Sequence, residues 1–281
     1  DPEAGNGDDD PKSALWLLPR DGGEARVIAT APGGVSAPLA ASAADVVSVA
    51  ADVMPSATDL EADTELRKQR KELKVSAIVH DSYPIRHWDH DLGPGQTRRF
   101  AAALDADADR LELRQLTGPG RELFEHAARL AADGSVLVTT WSVPAPDAAV
   151  RSTLVVIDVA TGARRTLVDD PGADVGGAAI SPDGAWVAFA RETVSTPHTA
   201  PTVGLCVVPL AGGDPVAVAA DWDLWPGQIE WLPDGTGLAV TADELGRGPL
   251  FLVSFDGGTP GAAATVERVT ADDAVFSDVA V

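Results

Sequence analysis

The chain of 281 residues carries 43 Asp or Glu against 21 Lys or Arg, a formal charge of −22. That balance excludes an unassisted nucleic-acid role, because phosphate contacts need clustered bases, and an anionic membrane surface would repel it. Its 45% hydrophobic share excludes a disordered chain, and no apolar run of the roughly 18 residues needed for a membrane-spanning helix is present.

In chain order, residues 1–12 are acidic with Gly and Pro and read as a loop, and the chain opens at Asp1 without Met. Ala14-Leu15-Trp16-Leu17-Leu18, a turn at Arg20-Asp21-Gly22-Gly23, and Ala25-Arg26-Val27-Ile28-Ala29 form a strand–turn–strand hairpin. Residues 59–75 then break the pattern. Asp59 to Leu73 has no Gly or Pro, places acids first and bases later as the helix dipole favours, and holds few apolar residues, Leu60, Leu66 and Leu73. An inserted, charged and mostly exposed helix is expected there. Ser82 to Leu92 follows, with the only tyrosine and two of the five histidines. His87, Asp89, His90 and Asp91 could be drawn as a metal site, but their spacing is irregular and Arg86 sits among them. No metal and no cofactor is expected. Trp88 is instead expected to pack between layers, with Arg86, Asp89 and His90 in a buried polar network.

Arg99–Leu104 and Leu111–Leu116 form a further hairpin with a long acidic turn. From there two kinds of hairpin alternate. One turns at Asp133-Gly134, at Ser181-Pro182-Asp183-Gly184 and at Pro233-Asp234-Gly235, in steps of 50 and 51 residues between the glycines. The other turns at Thr161-Gly162, Gly212-Gly213 and Gly257-Gly258. Proline presets φ, Asp bonds its own backbone, and Gly accepts positive φ, so each is a turn by its own chemistry. Cys206, the one cysteine, lies in the apolar strand Gly204–Val208 and reads as a buried thiol; no intrachain disulfide can form.

Two hairpins per period of about 50 residues supply four antiparallel strands, which is one β-propeller blade. The fold expected is all-β, a single propeller domain over residues 1–281 with about four to five blades and a cut blade at each end. An all-β sandwich is the rival, but a sandwich would not repeat this turn chemistry at a constant step. The cut blades lead to the expectation that the chain is part of a longer or nicked polypeptide.

These residues resemble the N-terminal propeller of prolyl oligopeptidase family serine peptidases, in the acylaminoacyl-peptidase and dipeptidyl-aminopeptidase-like branch found in bacteria. The resemblance rests on Ser13-Ala14-Leu15-Trp16 with Asp21-Gly22-Gly23-Glu24, on Pro84-Ile85-Arg86-His87-Trp88-Asp89-His90, and on Ser181-Pro182-Asp183-Gly184. It rests further on Asp221-Trp222-Asp223-Leu224-Trp225-Pro226 and on Thr241 to Phe251. Thr97-Arg98-Arg99-Phe100 departs from the strand start the family would show. The resemblance implies a propeller without a nucleophile, lying over a C-terminal α/β-hydrolase domain and screening peptides by size. That hydrolase domain, on the same polypeptide or a nicked fragment, is the implied partner; it would carry a Gly-x-Ser-x-Gly elbow, an acid and a histidine.

No such elbow is present; Gly34-Val35-Ser36-Ala37-Pro38 fails at its last position. No catalytic residue is assigned, and whether the chain is itself part of an enzyme is left open. Glu122, Glu125 and Glu244 are the candidate contacts to a free peptide amine, with a peptide as the substrate. The competing function is a non-enzymatic propeller that binds proteins. A propeller enzyme with its own metal-centred channel would need inward acids and histidines at a recurring position, and none recurs. A homo-oligomer is left open, and with one cysteine and no leader in view the cytoplasm is the default compartment.

Overall fold

The computed structural model describes residues 12–123, 127–144, 149–261 and 263–281. The chain resolves into two compact units, residues 1–124 and 125–281.

The first unit opens on the expected hairpin. Strand β1 (Ala14–Leu17) pairs antiparallel with β2 (Arg26–Thr30), and the turn places Gly22 and Gly23 at φ 97° and 125°, values that a Cβ would penalise. Next come β3 (Val35–Ala40), β4 (Val46–Val53), helix α1 (Leu60–Glu72), the short strands β5 (Arg86–His87) and β6 (His90–Asp91), β7 (Gln96–Ala103) and β8 (Arg114–Gln115). The sheet runs β3-β4-β7-β8. Helix α1 and the β5–β6 hairpin are therefore an insertion between the second and third strands of one blade. Its core joins Val35, Val49, Val53 and Phe100, and Leu111 closes over β2 by donating its N–H to the Ile28 carbonyl at 2.7 Å.

Local chemistry explains the helix ends. Asp59 caps the start by accepting the Ala62 N–H at 2.8 Å. At the other end Lys74 turns left-handed at φ 53°, and the Val75 and Lys74 N–H groups return to the Arg70 and Lys71 carbonyls, closing the last turn. The solvated face expected for this helix is only part of its surface. Leu60, Ala62 and Leu66 pack on the blade core. Between them Asp63 is 0% exposed, accepts the Met54 N–H at 2.7 Å and pairs with Arg67 at 2.9 Å. Arg98, also buried, donates to the Met54, Pro55 and Ala57 carbonyls, fixing the loop that leads into the helix.

The second unit holds three blades, each antiparallel in chain order. The first is β9 (Ala128–Leu130), β10 (Val136–Pro144), β11 (Val150–Asp158) and β12 (Arg164–Val168); the second is β13 (Ala173–Ile180), β14 (Trp186–Thr193), β15 (Val203–Pro209) and β16 (Val216–Val218). The third is β17 (Pro226–Trp231), β18 (Gly237–Ala242), β19 (Leu250–Phe255) and β20 (Ala264–Arg268). The alternation of side chains along a strand divides the core in two. Phe189, Cys206 and Val208 face the first of these blades; Ala188, Leu205 and Val207 face the third, against Trp231, Leu238 and Val253. Among the described residues four four-stranded blades, the β1–β2 hairpin and the inserted β5–β6 hairpin thus stand where the turn pattern expected four to five blades.

Candidate functional site

Three regions of the second unit gather polar side chains, and each arises from the blade repeat. The Pro-Asp-Gly turns come first. At Ser181–Ala185 the Asp183 carboxylate accepts the Ser181 hydroxyl at 2.6 Å and the Ala185 N–H at 2.9 Å, while Gly184 sits at φ 68°. Asp133 and Asp234 repeat this with Ser135 and Thr236. Those hydrogen bonds to the charged form hold all three carboxyls below the ordinary value, the Ser181 and Ser135 hydroxyls being the main cause for Asp183 and Asp133 and the Thr236 N–H for Asp234. These acids are spent on their own turns.

The innermost strands come second. β13 touches β9 on one side and β17 on the other, and its middle is Gly176-Gly177-Ala178-Ala179. Arg129 of β9 pairs at 3.2 Å with Glu230 of β17, a link between the two flanking blades that the small residues of β13 leave room for. Gln228, two residues before Glu230 on the same strand face, donates to Glu230 and clamps Val279 with both amide atoms, at 2.7 and 2.9 Å.

The third region is the rim where each outermost strand hands over to the next blade. The linker after β12 carries Asp169-Asp170, that after β16 Asp221-Trp222-Asp223, and that after β20 Asp272-Asp273. Arg151 pairs with Asp169. Arg191 meets Asp170 at 2.5 Å, and the Gly172 N–H donates to the other Asp170 oxygen at 2.8 Å. That N–H first, and then Arg191, hold the Asp170 carboxyl low. Arg247 meets Asp273 at 2.6 Å. Two clefts open on this rim beside the end of β14, of about 550 Å³ beneath Asp170 and about 350 Å³ beneath Asp221 to Trp225.

The structure distributes the sequence-derived candidates differently from the expectation. Glu244 lies in the second unit and is tied to Arg268 at 2.7 Å. Glu122 is half-buried in the first unit, in the linker after β8, close enough to Gly120 that a Cβ there would overlap its carboxylate. Glu125 lies outside the described residues. The buried network expected at Arg86, Trp88, Asp89 and His90 is corrected for three of its members, since Arg86, Trp88 and Asp89 are exposed; the side chain of His90 lies outside what the structure describes. His87 and His90 pair across the β5–β6 hairpin, which leaves Trp88 and Asp89 as its two-residue tip. Trp88, at φ 50°, is 88% exposed. Arg86 is exposed too and donates to the Asp89 carbonyl at 3.2 Å. Cys206 is buried, and burial pushes its thiol up, which disfavours the nucleophilic thiolate. The residues missed from sequence are the arginines that answer the linker acids. Their signal was the recurrence of Asp170, Asp221 and Asp273 at steps of 51 and 52 residues.

This arrangement can position and screen charged groups. Among the described residues no group of three His, Cys, Asp or Glu could hold a metal. The rim and turn hydroxyls bond turn acids and backbone, as Ser181, Ser135 and Thr236 do.

No family model matches the chain. A curated relative, dipeptidyl-peptidase 5 of Trichophyton equinum, is 26% identical over 210 residues, 66% of this chain and 29% of the relative. Its counterpart in Aspergillus fumigatus is 28% identical over 202 residues, 63% of this chain and 28% of the relative. The chain thus spans under a third of the length of the curated relatives it matches. Among solved structures, acylaminoacyl peptidase of Pyrococcus horikoshii superposes with a TM-score of 0.58 at 13% identity, covering 92% of this chain and 35% of that one. The β-propeller domain of the Trilobed protease from Pyrococcus furiosus gives 0.54 at 9% identity, covering 92% of this chain and 62% of that one. The fold is that of propeller blades, and the resemblance to peptidase propellers read from the sequence stands in both comparisons. No helix among the described residues is long and apolar enough to cross a membrane.

Proposed function

We propose that the chain is a substrate-selecting propeller domain of a serine peptidase that acts on short peptides. The observation that carries this reading is the alignment with 29% of a dipeptidyl-peptidase over 210 residues, a stretch that here folds as blades whose polar groups serve turns and ion pairs. A polypeptide of the relatives' proportions would place the nucleophile in an α/β-hydrolase domain beyond these residues, and the blades would then act by exclusion. Size is read by geometry: a folded protein cannot bring its backbone to a nucleophile roofed by β-sheet, whereas a short peptide can. Glu122, Glu125 and Glu244 remain the proposed contacts for a peptide amine, with Glu244 already neutralised in part by Arg268.

A length series tests the reading. With the intact gene product, kcat/KM is measured on peptides of about 2 to 30 residues sharing one cleavage site. A fall of at least tenfold between short and long peptides is expected. Equal rates across the series would refute selection by the propeller.

A further inference from the structure

The blade repeat supplies an internal control for its own rim. In the second unit's first blade, the β10–β11 connection is followed by Arg151, and this arginine pairs with Asp169 of the linker leaving that blade. In the third blade, the β18–β19 connection contains Arg247, which pairs with Asp273 of the linker leaving that blade. The middle blade departs from this scheme. Its β14–β15 connection, Val194 to Thr202, contains no Lys or Arg. The linker leaving it carries Asp221 and Asp223, which make no ion pair or side-chain hydrogen bond among the described residues. Arg191, the one base that lines the cleft at this linker, has its charge taken by Asp170 of the preceding linker.

What stands there instead is a cleft of about 350 Å³ bounded by Trp222 and Trp225 as well as by the two acids. Trp222 is pinned by an edge contact to Phe251 at 5.2 Å, and Trp225 is 52% exposed. Indole faces and unpaired carboxylates together suit a cation on an apolar stem. The chain makes the same pairing internally, with the Arg164 guanidinium 3.9 Å from the Trp141 ring centroid.

We propose that this cleft is a binding site for a guanidinium or alkylammonium side chain supplied from outside the chain, the group that Arg151 and Arg247 supply to the neighbouring linkers. The occupant is a basic residue of a peptide or protein. Asp221 and Asp223 take the charge, Trp225 covers the stem, and the missing loop arginine leaves the space. The site stands whether or not the chain serves a peptidase.

Titration of the full 281-residue chain with N-acetyl-argininamide, followed by the Trp225 indole N–H resonance, tests it. N-acetyl-citrullinamide, the neutral isostere, is the control, and an arginine-containing pentapeptide compares free with peptide-borne cation. The arginine probes are expected to bind at least tenfold more tightly than the citrulline probe, and more weakly as salt is raised. The double variant Asp221→Asn with Asp223→Asn should lose that tenfold preference. Thr202→Arg, which restores an arginine at the cleft edge, should block both probes while leaving the circular dichroism spectrum unchanged. Equal binding of arginine and citrulline, or a preference that survives the double Asn variant, would overturn the proposal.

Discussion

At the scale of single residues, the turn aspartates make the sharpest statement. Asp133, Asp183 and Asp234 are exposed, yet each is held below the ordinary carboxyl value of 3.8 by hydrogen bonds within its own turn. A folded-state value below the unfolded one contributes stability that is present above about 3.8 and is lost as pH falls through the folded value. Asp183→Asn keeps an acceptor oxygen and removes the charge. It should lower Tm by roughly 1–2 °C at pH 7, and that deficit should shrink as pH falls through the lowered folded value of Asp183. A deficit that stays constant across that range would show that the charge has no part in the turn. These turns were legible in the sequence because their chemistry is local: Pro182, Asp183 and Gly184 each act on the backbone within three residues. Trp88 shows the opposite case. Whether a tryptophan packs or projects is decided by residues distant in sequence, and here a two-residue hairpin tip leaves it exposed.

At the scale of elements, helix α1 is an insertion fastened from below. Its ends were readable from Asp59 and from the acid-to-base order of its side chains, but its anchor was not. Asp63 looks like any first-turn acid, and only the fold brings Met54 N–H and Arg67 to it. Removing one partner of a buried pair strands the other. Asp63→Ala is therefore expected to destabilise the first unit by about 3 kcal/mol in urea unfolding, whereas Lys68→Ala on the exposed side should stay within about 0.5 kcal/mol. Similar effects from both would contradict the anchor. The β3–β4 hairpin also escaped the sequence reading. Its connection, Ala41-Ser42-Ala43-Ala44-Asp45, has neither proline nor glycine, so nothing local announces the turn. Strand pairing alone makes it, with Ala40 opposite Val47.

At the scale of the whole chain, periodicity carried most of the fold. The steps of 50 and 51 residues between turn glycines are one blade each, and three of the blades follow that rhythm. The rim was legible only in part. Its acids recur visibly, but the arginines that neutralise them stand well before Asp169 and Asp273 in sequence and well after Asp170, so their pairing emerges from the stacked sheets. The net charge of −22 then acquires a local meaning: Asp169 and Asp273 are answered by an arginine of their own blade and Asp170 by one of the next, whereas Asp221 and Asp223 have no ion pair among the described residues. The central claim is that these blades belong to a serine peptidase. The most direct measurement is fluorophosphonate labelling of the native gene product, followed by peptide mapping of the modified serine. The account predicts a single labelled serine outside residues 1–281, in a polypeptide well above 28.9 kDa. A native product of about that mass with no labelled serine would contradict it.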